Sequence, residues 1–297
     1  MESTALQHAA RLGRARFPRG FPALLATYTF NEIAEQFGIV ALAVLVYDRT
    51  SSPIAVAAVF LVGKFFPALC APTVTARFAH YRGRTSLAGL YVTETVLYVV
   101  LAFLAWRAPE LQWLLPAVFL QGVVALTARG LSRGTVATLL SGEELLRRGN
   151  AWINVVSSVG SVAGPLAAVA VLALTSTAWV LVVGGLAFLL SAVIVAIGGA
   201  ALPTAEHREE DGEQRRSARE GLRYLWDSGP TRRILAGQAI AWTFATIIIP
   251  IEVVYAKEAL GTDSTGYGWL LAAWGAGMVI GIRAAAQPAL ARGPKRD

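Results

Sequence analysis

The stretch FPALLATYTFNEIAEQFGIVALAVLVY (Phe21–Tyr47) carries two glutamates as its only charged side chains over 27 residues. A helix needs about 20 mostly apolar residues to cross roughly 30 Å of hydrocarbon. The run is too long for a barrel strand and lacks the alternation that such a strand requires. It is also longer than the apolar core of a cleaved leader, and no small-x-small cleavage site follows it. A membrane-spanning helix is the reading that remains.

Seven further stretches meet the same criterion: Ile54–Ala76, Ser86–Trp106, Trp113–Leu131, Ala151–Leu174, Trp179–Ala201, Ile234–Tyr255 and Tyr267–Ala286. Composition agrees, with 55% hydrophobic and 15% charged residues in a chain of 297. Soluble domains carry about 25% charge, spread over the exposed faces of their helices; here the charges gather between apolar runs. The fold class expected is therefore all-α integral membrane. The single cysteine, Cys70, excludes an intrachain disulfide and reads as a small buried hydrophobe.

The basic residues orient the chain. With the N-terminus inside, the inner connections collect Arg11, Arg14, Arg16 and Arg19, then Arg77, Arg82 and Arg84, then Arg129, Arg133, Arg147 and Arg148. The outer ones receive only Arg49, Arg107 and Lys257. This asymmetry predicts an even number of crossings, with both termini cytoplasmic in a multi-pass protein of the cell membrane. It also accounts for the net charge of +7 without nucleic acid as a partner.

The crossings divide into segments. Residues 1–20 form a cytoplasmic N-terminal segment, 21–201 a six-helix bundle, 202–230 a polar linker, and 231–297 two helices of a second bundle. In the linker, Ala218, Leu222, Leu225 and Trp226 fall at helical spacing opposite Arg215, Arg216, Arg219 and Arg223. That pattern suits an amphipathic helix on the anionic inner leaflet, or a solvated connection. Val46-Tyr47-Asp48-Arg49 ends the first run and Val254-Tyr255-Ala256-Lys257 the seventh, a faint echo that a parallel repeat would produce.

Ionisable groups at membrane depth are costly and mark function by default. Glu32 lies about 16 Å in from Phe21 at 1.5 Å per residue, near midplane, between Asn31 and Glu35. Lys64 lies at similar depth in the second run, so antiparallel packing brings it toward Glu32 or Glu35. Glu94 is a further charge in the third run, and Gln121 a polar group in the fourth. From the other half, Gln238, Trp242 and Glu252 are candidates for the same cavity, where an aromatic ring suits a bulky amphipathic solute. Such a set fits a pathway for substrate and protons; a static ion pair between two helices is the alternative.

In the fifth run, Gly160 and Gly164 stand one turn apart with Pro165 next. Two glycines at that spacing make a flat face for close helix approach. The proline removes a backbone donor and bends the helix, so a hinge or packing seam is expected.

Gly160-Ser161-Val162-Ala163-Gly164-Pro165 also matches the G-x-x-x-G-P motif of antiporter-type exporters in the major facilitator superfamily, which the chain resembles in its six spans, basic loop and restart. The loop after the second span, Ala76 to Thr85, is similar to the family's G-x-x-x-D-R-x-G-R-R. Gly83 and Arg84 match it, Arg82 lies beside them, and His80 replaces the acidic residue. The resemblance assigns these four positions to a cytoplasmic gate loop with an altered latch. Gln121-Gly122 matches the end of R-x-x-Q-G, with Val118 where the family has arginine. The stretch from Ala128 to Pro165, and Glu220 to Leu225, look like the branch of siderophore and macrolide exporters.

The resemblance implies secondary active, proton-coupled efflux of a small amphipathic compound by alternating access, with no cofactor and no metal. Relatives have twelve spans against eight here, so a second chain or a homo-oligomer is expected to complete the fold. The competing expectation is a truncated or non-transporting membrane component serving as a binding or scaffold subunit. An enzyme is not expected: no H-E-x-x-H and no G-x-x-x-x-G-K-[ST] loop occurs, and the aspartates all lie outside the spans.

Overall fold

In a computed structural model, the described residues are 17–78, 83–107, 110–140, 142–198 and 226–262, with 202, 223, 266, 267, 269–271, 273, 274 and 277. All regular structure among them is helical. Helix α1 spans Phe21–Thr50. Helix α2 runs in three pieces, Pro53–Phe60, a π-helical turn Leu61–Phe65, and Phe66–Phe78. Then follow α3 (Gly83–Arg107), α4 (Leu111–Leu139), α5 (Glu143–Leu174), α6 (Thr177–Gly198) and α7 (Gly229–Val254), the last ending in a second π-turn, Tyr255–Ala259.

Six of these, α1 to α6, are long and apolar enough to cross a membrane. Helix α7 occupies the place of the seventh expected span. The eighth falls largely outside the described residues, as do His80, Arg82, residues 1–16 and most of the linker.

Local sequence sets the turns. Helix α1 stops where Ser51 adopts a left-handed backbone (φ 47°). Ser52 then caps α2, its hydroxyl accepting from the Ala55 amide at 3.3 Å, and Pro53 occupies the first helical turn, where a missing N–H costs nothing. Gly142, at φ 99°, precedes α5, whose first turn carries Glu143 and Glu144 at the positive end of the helix dipole.

Helix α6 packs between α1 and α3, α5 lies along α1, and α4 bridges α3 to α2. With lipid around them, helices gain nothing from hiding apolar surface from one another; tight packing holds them instead. The seam of α1, α3 and α6 shows how. Tyr98 of α3 inserts its ring against Gly38 of α1 and Gly184 of α6, where any Cβ would collide with it, and the Tyr98 Cβ lies close to Gly185. Its hydroxyl donates to the Ala34 carbonyl at 3.0 Å, and Phe188 meets the ring edge-on at 4.9 Å.

The two echoed segments touch. Lys257 pairs with Asp48 and lies over the Tyr47 ring, and the Tyr47 hydroxyl donates to Glu258 at 2.5 Å. The ends of the first and seventh helices are thus joined.

Candidate functional site, a buried charge cluster on α1, α2 and α4

Three helices bring the cluster together. Glu35 of α1 accepts from the Arg129 guanidinium of α4 at 2.7 Å and lies 3.7 Å from the Lys64 ammonium of α2. Arg129 also reaches Glu32 at 3.7 Å. Opposed charges on separate helices offset the desolvation that each would suffer alone.

Of the two carboxylates expected near Lys64, Glu32 or Glu35, it is Glu35 that pairs with it. Lys64 sits within the π-turn, and π-turns often accompany functional sites. The crossing of α2 and α4 beside it is glycine on glycine: a Cβ on Gly122 would lie 2.1 Å from the Gly63 carbonyl oxygen. Gln121 is buried next to that crossing.

Arg129 corrects the sequence reading. The fourth span was expected to end at Leu131, with Arg129 and Arg133 counted as inner-loop charges, but α4 continues to Leu139. Both arginines are therefore helical, ten and six residues before its last turn closes. The amphipathic stretch after Leu131 is polar enough to resemble a loop by composition yet contains nothing that stops a helix. Gly83 and Arg84 need a similar correction. They begin α3 rather than lie in a loop, and the Arg84 guanidinium donates to the Ala196 carbonyl on α6.

The glycine motif of α5 faces the same cluster. A Cβ on Gly160 would come within 2.7 Å of Glu32 Cγ, and one on Gly164 within 2.7 Å of Gln36 Cβ. The close approach lets the Ser161 hydroxyl reach Glu32 Oε1 at 2.9 Å, while Gln36 donates to the same oxygen at 3.3 Å. Pro165 has no amide to offer the Ser161 carbonyl four residues earlier. The motif and the carboxylates, separate in sequence, form one structure.

Cavities flank the cluster on both sides. One is lined by Tyr28, Asn31, Glu32, Tyr91, Arg129, Ser132, Arg133 and Ser157, toward the N-terminal half of α1. It is polar, and the Tyr28 and Ser132 hydroxyls are buried there. The other is more apolar, lined by Glu35, Gly38, Ile39, Leu42, Phe60, Lys64, Tyr98 and Gln121, toward the C-terminal half of α1. Glu35, Lys64 and Arg129 stand between the two.

Glu94 of α3 is fully buried, and neither carboxyl oxygen has a hydrogen-bond partner among the described residues. On α7, Gln238 is exposed and Glu252 half-buried, and no described contact joins either to the cluster. Trp242 lies on α7, its side chain outside the described set. Among the described residues no group of histidine, cysteine and acidic side chains is arranged to hold a metal ion.

No protein-family profile and no curated protein matches this sequence. Among solved structures, the backbone is similar to the POT family transporter PepTSo, crystallised in meso, with a TM-score of 0.55 at 13% identity. The match covers 87% of this chain and 53% of that one, so the chain spans about half the length of its structural neighbour. At this identity the comparison speaks to fold, and with the six apolar helices it makes the chain a multi-pass, all-α integral membrane protein.

Proposed function

We propose that the chain serves secondary active transport, moving a small amphipathic compound outward in exchange for protons by alternating access. The observation that carries this reading is the cluster of Glu32, Glu35, Lys64 and Arg129 between two cavities at membrane depth. Charges that can exchange partners offer a way for one cavity to open as the other closes. A glutamate able to take up and release a proton would tie that exchange to a proton gradient.

The outward direction and the siderophore or macrolide class rest on the resemblance of Gly160 to Pro165 and its flanking stretches. The domain plan, both termini in the cytoplasm of a cell-membrane protein, and completion of the path by a second chain or a second copy belong to the same proposal. The Asp48–Lys257 contact supports it, because it joins the six-helix bundle to the start of the second segment.

Everted vesicles carrying the protein, energised by an imposed proton gradient and offered siderophores, macrolides and dyes, test the reading. Gradient-dependent accumulation of at least one compound is expected, with coupling lost in Glu35→Gln. If nothing accumulates above protein-free vesicles, the chain is a binding or scaffold component instead.

A further inference from the structure

Glu94 is set apart from the other carboxylates of the cluster. Glu35 has Arg129 and Lys64 within 4 Å, and Glu32 has Arg129, Ser161 and Gln36. Both of those have charged and hydrogen-bonding partners. Glu94 is 0% exposed, and neither of its oxygens accepts or donates a hydrogen bond among the described residues. An isolated carboxylate in such surroundings is among the most costly groups a protein can bury, whereas the undissociated acid costs only as much as an unpaired polar group.

The groups that face it are few. From α1 it feels Glu35, from α4 Arg129 and from α2 Lys64; on its own helix Tyr91 and Tyr98 lie within its field. Helix α6, packed along α3, contributes no ionisable side chain. Both cations nearby are already engaged by Glu35.

We propose that Glu94 is the proton-binding site of the cluster, occupied by a proton in the arrangement described. The exchange is balanced: a carboxylate and a proton from water give the undissociated acid, and release returns both. Tyr91, one turn away on α3, lines the polar cavity. Loss of the proton would leave a new anion within the field of Arg129 and Lys64. It would then compete with Glu35 and Glu32 for them, loosening the junction of α1 with α2 and α4. This gives the transport reading its coupling step, but protonation can be measured without any substrate.

Infrared spectroscopy of the purified full chain, by acid–base difference, reads the site directly. At neutral pH a carbonyl stretch of an undissociated carboxylic acid is expected, lost in Glu94→Gln and retained in Glu32→Gln and Glu35→Gln. Glu94→Asp, which keeps the acid, should shift the band rather than abolish it, and it serves if the glutamine variant does not fold. Absence of the band in the parent protein, or its loss in Glu35→Gln with persistence in Glu94→Gln, overturns the assignment. Band loss in Glu94→Gln together with no transport by the parent would sink the transport reading and leave the proton site standing.

Discussion

Glycines line both faces of α1, but they admit different things. On the α5 side, Gly160 and Gly164 let the backbone close on Glu32 and Gln36, and the space they leave is filled by polar side chains reaching for partners. On the α6 side, Gly184 and Gly38 of α1 itself enclose the Tyr98 ring, with a single hydrogen bond to the Ala34 carbonyl. The first seam holds two helices through a charge that has other partners. The second holds three through shape. A small-residue seam therefore says that helices approach closely, and the side chain it receives says whether the approach is fixed or exchangeable.

Substitutions can break that contrast. The largest loss is expected from Tyr98→Ala, which empties a fully enclosed site: about 3 kcal/mol, as for other buried aromatic truncations. It should appear as a lower midpoint in thermal unfolding of the purified protein. Arg129→Met comes next. It strips Glu35 of its shortest contact and costs about 2 kcal/mol, below the usual figure for a broken buried pair because the arginine is partly exposed. Adding Glu35→Gln should recover part of this, since the stranded charge is then gone.

Gly160→Ala and Gly184→Ala sharpen the comparison at smaller scale. Each puts a Cβ under 3.0 Å from a neighbouring side chain and should cost about 1–2 kcal/mol. Only Gly160→Ala should alter the coupling proposed above, read in vesicles, because only it displaces a member of the cluster. Equal effects of the two on coupling would erase the distinction between the seams. Gly89→Ala, with open space around the new carbon, should stay within about 0.5 kcal/mol of the parent and sets the baseline.

The membrane fold was legible because apolar length is a one-dimensional property: Phe21 to Tyr47 declares itself without reference to any partner. Depth is nearly as local, which is how Glu35 and Lys64 were matched before any contact was known. Arg129 escaped because a basic residue near the end of an apolar run has two readings, flank or interior. Only the continuation of α4 to Leu139 decides between them. The glycine pair of α5 announced a close approach, but nothing along the chain says that the helix approached carries Glu32. Glu94 was visible as a charge; its lack of partners is a property of what surrounds it on other helices.

The π-turn at Leu61–Phe65 has a consequence for the phase of α2. One residue more than an α-turn needs is accommodated there, so everything from Phe66 onward is rotated by roughly 100° from where an uninterrupted helix would put it. Lys64 lies within the offset, beside the glycine that meets α4. The helix thus behaves as two rods in different register, joined at the turn that carries the charge. Removal of a single residue from that turn would leave composition and hydropathy almost unchanged, yet would swing the first rod out of phase with the second and turn Lys64 away from Glu35.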